Sequence, residues 1–526
     1  MRSLLPKTLL TASLIAVAAV PAIAEDAKPV EKSSEAKDHK DALKEDAEKA
    51  WPRPPVEEQA SVSKGKVDTR SGTIAYTATA GTLTIRDDTG KPTASLFYTA
   101  YTRDGGGPNR PVSFFYNGGP GSSTVWLRMG SFGPVRVATD APIYVAPSSY
   151  ALKPNPDTLL DRTDLVFIDA VGTGWSRPLG DKTGKDFWGV DQDGEAFARA
   201  IIRYIDRNDR WQSPKVLFGE SYGTLRNGVV AAKLEAHGLS LDGIVMLSTI
   251  LNYGVEQPGY DMLPMTLVPT YAATAWYHNK IANRPASLPV FLDEVRAWVA
   301  GPYAAALAKG TAIEPAEFDA TARQLAAYTG LSEAFVRRAN LRIPLGQFQT
   351  ELLREKGVAT GRLDTRYLLD VADANATSPV EDPSDTAITG AYVAAFKTYV
   401  SKTLGFKTDM PYLLSAYNAD DFDWDWSHKA PGAWDKQISP DTGIDLAYVM
   451  RVNPALKVLF LNGYYDAATQ FYATEYDINH LMLTAPLRAN ITSKYYESGH
   501  MLYLNQQIMP QLHQDIASWY DSATKR

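Results

Sequence analysis

Residues 216–223, Val-Leu-Phe-Gly-Glu-Ser-Tyr-Gly, decide the fold of this 526-residue chain. The three apolar residues predict a buried strand, Ser221 stands between Gly219 and Gly223, and Leu225–Leu234 predict a helix. In such a strand–turn–helix unit the turn is strained, so small residues must flank the serine. Its hydroxyl is then exposed above the sheet, with a helix N-terminus behind it. Ser221 is therefore a candidate nucleophile. An ordinary glycine-bounded turn is the alternative, because so short a pattern also arises by chance.

Further apolar runs predict the other strands of a sheet. Between them, Asp191–Asp206 carries apolar residues at helical spacing and predicts a helix. Buried strands that alternate with helices indicate an α/β sheet covered on both faces. Gly72–Thr102, broken by Asp87-Asp88-Thr89-Gly90, predicts antiparallel strands with a tight turn. The predicted buried strands are Val112–Tyr116, Leu165–Ile168, Val216–Phe218, Ile244–Leu247, Lys457–Leu461 and Ala489–Tyr496.

A long helical and irregular segment separates two parts of the predicted sheet. Ser287–Ala300 and Pro315–Tyr328 predict helices, and the first is expected to end where Gly301-Pro302 follows. We predict an α/β-hydrolase fold with a central, mostly parallel sheet and a helical cap or lid insertion. The tract Asp420–Trp426 is expected to form a packed loop rather than a calcium or sugar site, because it lacks metal-ligand spacing. The predicted boundaries are 60–254 and 441–526 for the core and 255–440 for the cap.

The N-terminus predicts a secretory signal. Positive residues precede the apolar run Leu9–Val20, which is short for a membrane span, and Ala22-Ile23-Ala24 matches the small-x-small cleavage pattern. We predict a signal peptide over residues 1–24 rather than an anchoring helix, then a charged linker over residues 25–59, and no membrane span. The chain has no cysteine, which favours a bacterial periplasm or the cell exterior. A formal net charge of -7 argues against nucleic acid as a partner.

A serine nucleophile needs a base, and in the predicted fold the acid and then the histidine follow the serine. His480 and His513 lie in predicted helices, whereas His500 lies in a loop after a strand and is the candidate base. Asp466 follows the strand Lys457–Leu461, at the edge where open α/β sheets place their ligands. It would hold the imidazole of His500 in the correct tautomer. A turn or helix-capping role is the alternative for this aspartate.

Four motifs resemble signatures of the serine carboxypeptidase family, and they occur in that family's order. The resemblance covers most of the chain from about Phe115 onward. It implies that Ser221, Asp466 and His500 form a catalytic triad. The disulfides of that family are absent, which fits a bacterial branch. The motifs are Asn117-Gly118-Gly119-Pro120-Gly121-Ser122-Ser123, Leu165–Asp169 with Val171–Ser176, Gly219–Gly223, and Ser498-Gly499-His500-Met501.

The resemblance also implies roles for residues around the nucleophile. Backbone N–H groups of Gly119 and Tyr222 would form the oxyanion hole, and Asn117 and Glu220 would bind the C-terminal carboxylate of the substrate. A glutamate donates a hydrogen bond to a carboxylate only when protonated, so burial must raise its pKa, which predicts an acidic pH preference. Ser131 stands where the family often has an acidic residue.

Three functions remain open from the sequence. The first is a carboxypeptidase that removes single residues from peptide C-termini through an acyl-enzyme, with peptide as substrate and no cofactor or metal. The second is an esterase or acyltransferase that uses the same triad, since fold does not fix substrate. The third is a non-catalytic binding protein, against which the intact triad argues. Side-chain preference stays open, because Tyr271, Trp276 and Tyr277 fit either a pocket lining or a core.

Overall fold

The computed structural model describes residues 54–144, 151–257 and 259–525. The predicted signal peptide, residues 1–24, lies outside the described residues, as do residues 25–53 of the predicted linker. Within the described ranges no helix is both long and apolar enough to cross a membrane.

A ten-stranded sheet organises the described residues. Strands β1, β2 and β3 pair antiparallel with one another. Strands β7, β4, β9, β10, β13 and β14 pair parallel with their neighbours in this run. Its order is β1-β2-β3-β7-β4-β9-β10-β13-β14, with β8 paired to β3. Its strands are β1 Ala60–Thr69, β2 Gly72–Arg86, β3 Pro92–Arg103, β4 Val112–Tyr116, β7 Asp164–Ile168, β8 Arg177–Pro178, β9 Lys215–Ser221, β10 Gly243–Thr249, β13 Lys457–Gly463 and β14 Ile491–Tyr496; two small hairpins pair β5 Val135–Val137 with β6 Leu152–Pro154 and β11 Val358–Thr360 with β12 Leu368–Asp370.

The α-helices of the described residues cover both faces of the sheet and fill the segment between β10 and β13. The predicted helix over Asp191–Asp206 is observed one residue longer at each end, and the helix after Ser221 begins at Tyr222. The helices are α1 Val125–Gly130, α2 Val190–Arg207, α3 Tyr222–Ala236, α4 Met262–Tyr277, α5 Leu288–Trp298, α6 Ala304–Ala308, α7 Pro315–Thr329, α8 Glu333–Arg338, α9 Leu345–Glu351, α10 Pro383–Thr398, α11 Gly443–Val452, α12 Phe471–His480, α13 Ala485–Arg488 and α14 Met509–Ala523.

Alternate residues of the central strands face opposite sides, and both sides are buried. Phe115 stacks on Phe218 with ring centroids 4.5 Å apart on one face. On the other face Phe114 meets Tyr204 of α2 edge-on at 5.6 Å. A strand buried on both faces has no polar positions to alternate with, which is why these strands read as continuous apolar runs.

The segment between β10 and β13 packs in two different ways. Helices α4 to α9 form a cluster of their own, joined by Tyr464 and Phe471 of the core. Helix α10 instead packs beneath the sheet, where Phe396 lies 5.7 Å from Trp175. The cap boundaries of 255–440 stay a prediction, but only the first part of this segment forms a separate apolar cluster.

The α-helix expected to end before Gly301-Pro302 does end there, but the chain continues helically beyond it. Helix α5 ends at Trp298, but a π-helical turn over Val299–Tyr303 follows it and leads directly into α6. Proline has no N–H and its ring crowds the preceding turn of an α-helix. The wider π turn accommodates Pro302, and the chain continues helically. Gly301-Pro302 therefore produces a local π-bulge and not an end of the helical segment.

Candidate active site

The turn at the end of β9 holds Ser221 in a strained conformation. Its φ of 61° lies in the left-handed region, which a non-glycine residue rarely adopts. A Cβ at Gly219 would lie 2.1 Å from the Gly223 carbonyl oxygen, and one at Gly223 would lie 2.8 Å from the Tyr116 oxygen. Both glycines are therefore required by the close approach of neighbouring backbone. The turn places Ser221 between β9 and α3, as the motif predicted.

The glycine-rich loop after β4 lies against this turn. A Cβ at Gly118 would come within 2.3 Å of the Tyr222 backbone nitrogen, so no side chain fits there. Gly119 has a φ of 115°, which favours glycine. Tyr222 is the first residue of α3, so its N–H has no acceptor within the helix. The loop thus brings the backbone of Gly119 and Tyr222, the predicted oxyanion donors, to the side of Ser221.

His500 and Asp466 form a buried pair. His500 Nδ1 lies 2.8 Å from Asp466 Oδ2. The Asp466 side chain is fully buried and accepts further bonds from the N–H groups of Ala468 at 2.8 Å and Thr469 at 2.9 Å, and from the Thr469 hydroxyl at 2.7 Å. A carboxylate with this many donors keeps a fixed orientation, so it fixes the imidazole tautomer in turn.

The backbone of His500 is held as firmly as its ring. Its N–H donates to the Leu363 oxygen at 2.6 Å, and the Ser248 hydroxyl donates to its carbonyl oxygen at 2.5 Å. Burial alone would lower the pKa of the imidazole, but the charge of Asp466 and its hydrogen bond outweigh burial and raise the pKa of His500. A base with a raised pKa accepts a proton more readily from a serine hydroxyl.

Ser221 and His500 line the same cavity, whose volume is about 510 Å³. Within the described residues no hydrogen bond joins the Ser221 hydroxyl to His500. In enzymes without substrate this bond is often long, and it shortens when the substrate fills the site. The wall also includes Asn117, Gly119, Glu220 and Thr469.

Glu220 and Asn117 form a second buried pair beside the nucleophile. Asn117 Nδ2 donates to Glu220 Oε1 at 3.0 Å, while Glu220 Oε2 is buried without a partner among the described residues. Burial outweighs the opposing charge of His500 and raises the pKa of Glu220 to about 7. The carboxyl group is therefore protonated at mildly acidic pH and able to donate a hydrogen bond.

Two further contacts fix Asn117. Its Oδ1 accepts from the Leu127 N–H at 3.0 Å, and its carbonyl oxygen accepts from Arg226 at 2.6 Å. Ser131 donates to the Leu127 oxygen at 2.6 Å, so its hydroxyl is engaged within α1. The buried Tyr503 hydroxyl lies next to the Glu220 carboxyl and the Asn117 amide.

The other candidate residues lie outside this cavity wall. Tyr271 stacks on Phe348 at 3.9 Å within the cluster of α4 to α9, so it belongs to a core. Trp276 and Tyr277 pack against the same cluster. His480 is exposed and stacks on Tyr476, and His513 pairs with Asp161 at 3.2 Å.

The tract Asp420–Trp426 packs as a loop behind the nucleophile. Trp424 meets the Tyr222 ring at 5.3 Å, and Trp426 meets Tyr253, a cavity residue, at 4.7 Å. In the described ranges no group of three or more histidine, cysteine or acidic residues is arranged to hold a metal ion. The tract therefore supports the cavity through its aromatic rings.

A buried histidine attaches this loop to the core. His428 is 1% exposed, and its ring nitrogens lie 2.7 Å from Asp191 Oδ1 and 2.8 Å from Asp445 Oδ2. Burial would lower its pKa, but the two hydrogen bonds and charges raise the pKa of His428 to about 9. No local sequence pattern marks His428, Asp191 and Asp445 as a group, because they are far apart along the chain.

Sequence reasoning also missed cavity residues outside the motifs. Thr469 supports Asp466, and only its place three residues after the acid could have suggested it. Arg362 and Asp385 line the cavity from the segment between β10 and β13. No local pattern marks them, because they reach the cavity through tertiary packing.

The strand order, the strained serine turn after β9 and the carboxylate–imidazole pair after β13 and β14 define a serine hydrolase of the α/β-hydrolase fold. This confirms the predicted fold class. Residues 71–236 match the family model described as serine carboxypeptidase. Residues 71–236 are therefore similar to the serine carboxypeptidase family, and the resemblance stated from the sequence is confirmed.

Known proteins resemble the chain to different extents. Serine carboxypeptidase-like 51 of Arabidopsis thaliana is 34% identical over 136 residues, which are 25% of this chain and 25% of that protein. The match thus spans about a quarter of the relative. The crystal structure of Kex1(delta)p, a prohormone-processing carboxypeptidase from Saccharomyces cerevisiae, covers 84% of this chain and 91% of its own at 14% identity and a TM-score of 0.48. A monoglyceride lipase of the same yeast covers 84% and 95% at 13% identity and a TM-score of 0.35.

Proposed function

We propose that this protein is a serine carboxypeptidase that removes residues from free peptide C-termini. The observation that carries the proposal is the buried Asn117–Glu220 pair beside Ser221, with the pKa of Glu220 raised to about 7. A protonated carboxyl and an amide N–H are donors placed to bind a carboxylate, whereas an esterase site has no need of such a reader.

The proposed reaction proceeds through an acyl-enzyme. The Ser221 oxygen attacks the last peptide carbonyl while His500 takes its proton, and Asp466 stabilises the imidazolium. The N–H groups of Gly119 and Tyr222 receive the oxyanion. His500 then protonates the leaving amine, and a water attacks the acyl-enzyme with the same histidine as base.

The pH preference follows from two groups. Glu220 must be protonated to donate to the substrate carboxylate, and this condition fails as pH rises above about 7. His500 must be neutral to act as base, and this condition fails as pH falls below its raised pKa. The Glu220 condition supports a preference for the acidic side of neutrality, and the raised pKa of His500 keeps the optimum close to neutral pH.

The test uses blocked dipeptides with a free C-terminus and their matched C-terminal amides, from acidic to mildly basic pH. Release of the C-terminal residue from the acids, absent in Ser221→Ala, supports the proposal. If only esters are cleaved, or only acyl transfer is seen, the assignment of the catalytic triad is retained and the proposed carboxypeptidase activity is rejected. Release by Ser221→Ala at the wild-type rate would remove the serine from the mechanism.

The proposed location is the bacterial periplasm or the cell exterior. The support is the charged start, the apolar run Leu9–Val20 and the small residues ending at Ala24. N-terminal sequencing of the protein from its native host should begin at Glu25. A chain that begins at Met1 or Arg2 would contradict a cleaved signal.

A further inference from the structure

A carboxylate that the mechanism does not use lies in the wall of the catalytic cavity. Asp385 and Thr389, both on α10, line the cavity that holds Ser221. The Thr389 hydroxyl donates its shorter hydrogen bond to the Asp385 carbonyl oxygen at 2.9 Å and lies 3.3 Å from Asp385 Oδ1. Asp385 is half-buried, and in the described ranges no lysine, arginine or histidine nitrogen lies within ion-pair distance of it.

Asp385 lies in the first turn of α10, but it is not the residue that caps the helix. Asp382 is already the N-cap of α10, and its Oδ1 accepts from the N–H groups of Ser384 at 2.9 Å and Asp385 at 3.3 Å. Burial, together with the negative charges of Asp382 and Glu381, raises the pKa of Asp385, although the Thr389 bond opposes this. A half-buried carboxylate with anions for neighbours gains further stability when a cation reaches it.

Asp385 is connected through α10 and Trp126 to the Asn117–Glu220 pair. Asp385, Thr389 and Tyr392 share one face of α10, being spaced four and three residues apart. The Tyr392 ring lies 5.8 Å from that of Trp126, which also lines the cavity. The next residue of α1, Leu127, donates its N–H to Asn117. The departing C-terminal residue, with its carboxylate at Asn117, therefore has its side chain next to this wall.

The cavity's own cation acts elsewhere. Arg362 is held through its backbone, since its N–H donates to Asp382 Oδ2 at 2.6 Å and its carbonyl accepts from Ala467 at 3.0 Å. Its charge acts on Glu256 and Tyr253, which follow β10. Among the described residues Asp385 is therefore left without a cationic partner.

On this ground, and resting on the proposed function, we propose that Asp385 selects peptides whose C-terminal residue is basic. The lysine or arginine side chain lies along Trp126, whose ring face attracts a cation, and its charged end pairs with Asp385. A cation there replaces the repulsion among the α10 carboxylates with an attraction. Asp385 is thus a specificity-determining residue.

The experiment compares blocked dipeptides that share a penultimate residue and end in lysine or in norleucine, an uncharged side chain with the same four-carbon stem. Binding is measured by calorimetry to the full chain carrying Ser221→Ala, and turnover with the active enzyme. Asp385→Asn is made in both backgrounds. Glu381→Gln, which removes the same charge from an exposed neighbour outside the cavity wall, is the matched control. Thermal unfolding verifies that each variant is folded.

We expect lysine to be preferred over norleucine by about tenfold or more, and Asp385→Asn to bring the ratio to within about twofold of one through weaker binding of the lysine peptide alone. Glu381→Gln should keep the preference. An equal ratio in wild type and Asp385→Asn, or a preference for norleucine, overturns the inference. Lysine-selective binding that needs Asp385, without turnover of any peptide, would support the subsite and refute the peptidase. Turnover without lysine selectivity would support the peptidase and refute the subsite.

Discussion

Replacing Glu220 with glutamine isolates the group that reads the substrate carboxylate. Burial raises the pKa of this carboxyl to about 7, so about a tenth of it is protonated at pH 8 and about a hundredth at pH 9. For peptide acids, kcat/KM should therefore fall about tenfold for each pH unit above 7. In Glu220→Gln the amide donates at every pH, so this basic limb should disappear. Because Glu220 also raises the pKa of His500, the acidic limb should move to lower pH.

The same substitution has an effect on stability. The pKa of Glu220 is higher in the folded chain than its ordinary 4.5, so the folded state gains relative stability below about pH 4.5 and loses it as pH rises through about 7. The shift corresponds to about 3 kcal/mol. Glu220→Gln should therefore unfold at higher denaturant than wild type at pH 8, and the two should converge near pH 4.

The assay is kcat/KM against pH for a blocked dipeptide acid and its C-terminal ester, with wild type and Glu220→Gln in parallel. The ester has no free carboxylate, so its profile should lack the basic limb in both proteins. A basic limb that persists in Glu220→Gln at the wild-type pH would refute the assignment, because another group would then be titrating.

Other substitutions test the remaining parts of the site. Asp466→Asn should lower kcat by about 10³- to 10⁴-fold with little change in KM, because His500 loses the partner that fixes its tautomer. Steady-state kinetics in which only KM rises would contradict this prediction. Gly219→Ala should lower the free energy of unfolding by about 2 kcal/mol or more, since the methyl group meets the Gly223 oxygen; an unchanged denaturant midpoint would rule out the tight turn. The pKa of His428 is raised to about 9, so its stabilisation is full below about pH 6.5 and is lost as pH rises through 9. Wild type should lose about 3 kcal/mol of stability over that range and His428→Asn should not, as denaturation at several pH values would show.

Local steric requirements made much of the fold and site readable from the sequence. Gly219, Gly223 and Gly118 must lack side chains because neighbouring backbone lies within 3 Å of where a Cβ would stand. Such constraints act between residues that are adjacent or fixed by one turn, so they leave short motifs. The strands could also be predicted from the sequence, because burial on both faces excludes polar residues from them.

Prediction from the sequence was weaker where one local pattern is compatible with two structures. Gly301-Pro302 normally ends a helix, yet the chain continues through a π turn because Val299 and Tyr303 are buried in the cluster of α4 to α9. The segment around α10 lies within the predicted cap boundaries, which stay a prediction, and its apolar face packs beneath the sheet. Tertiary burial decided both, and it depends on residues far along the chain.

The sequence by itself determined the strand–turn–helix at Ser221, the strands of the sheet and the candidate residues Asp466 and His500. Only the tertiary structure decided that these two side chains meet at 2.8 Å and that Glu220 is buried deeply enough to hold a proton near neutrality. It also left Asp385 in the cavity without a cation. The physical reason is range: backbone sterics act within a turn, whereas desolvation and charge pairing depend on which distant elements fold against one another.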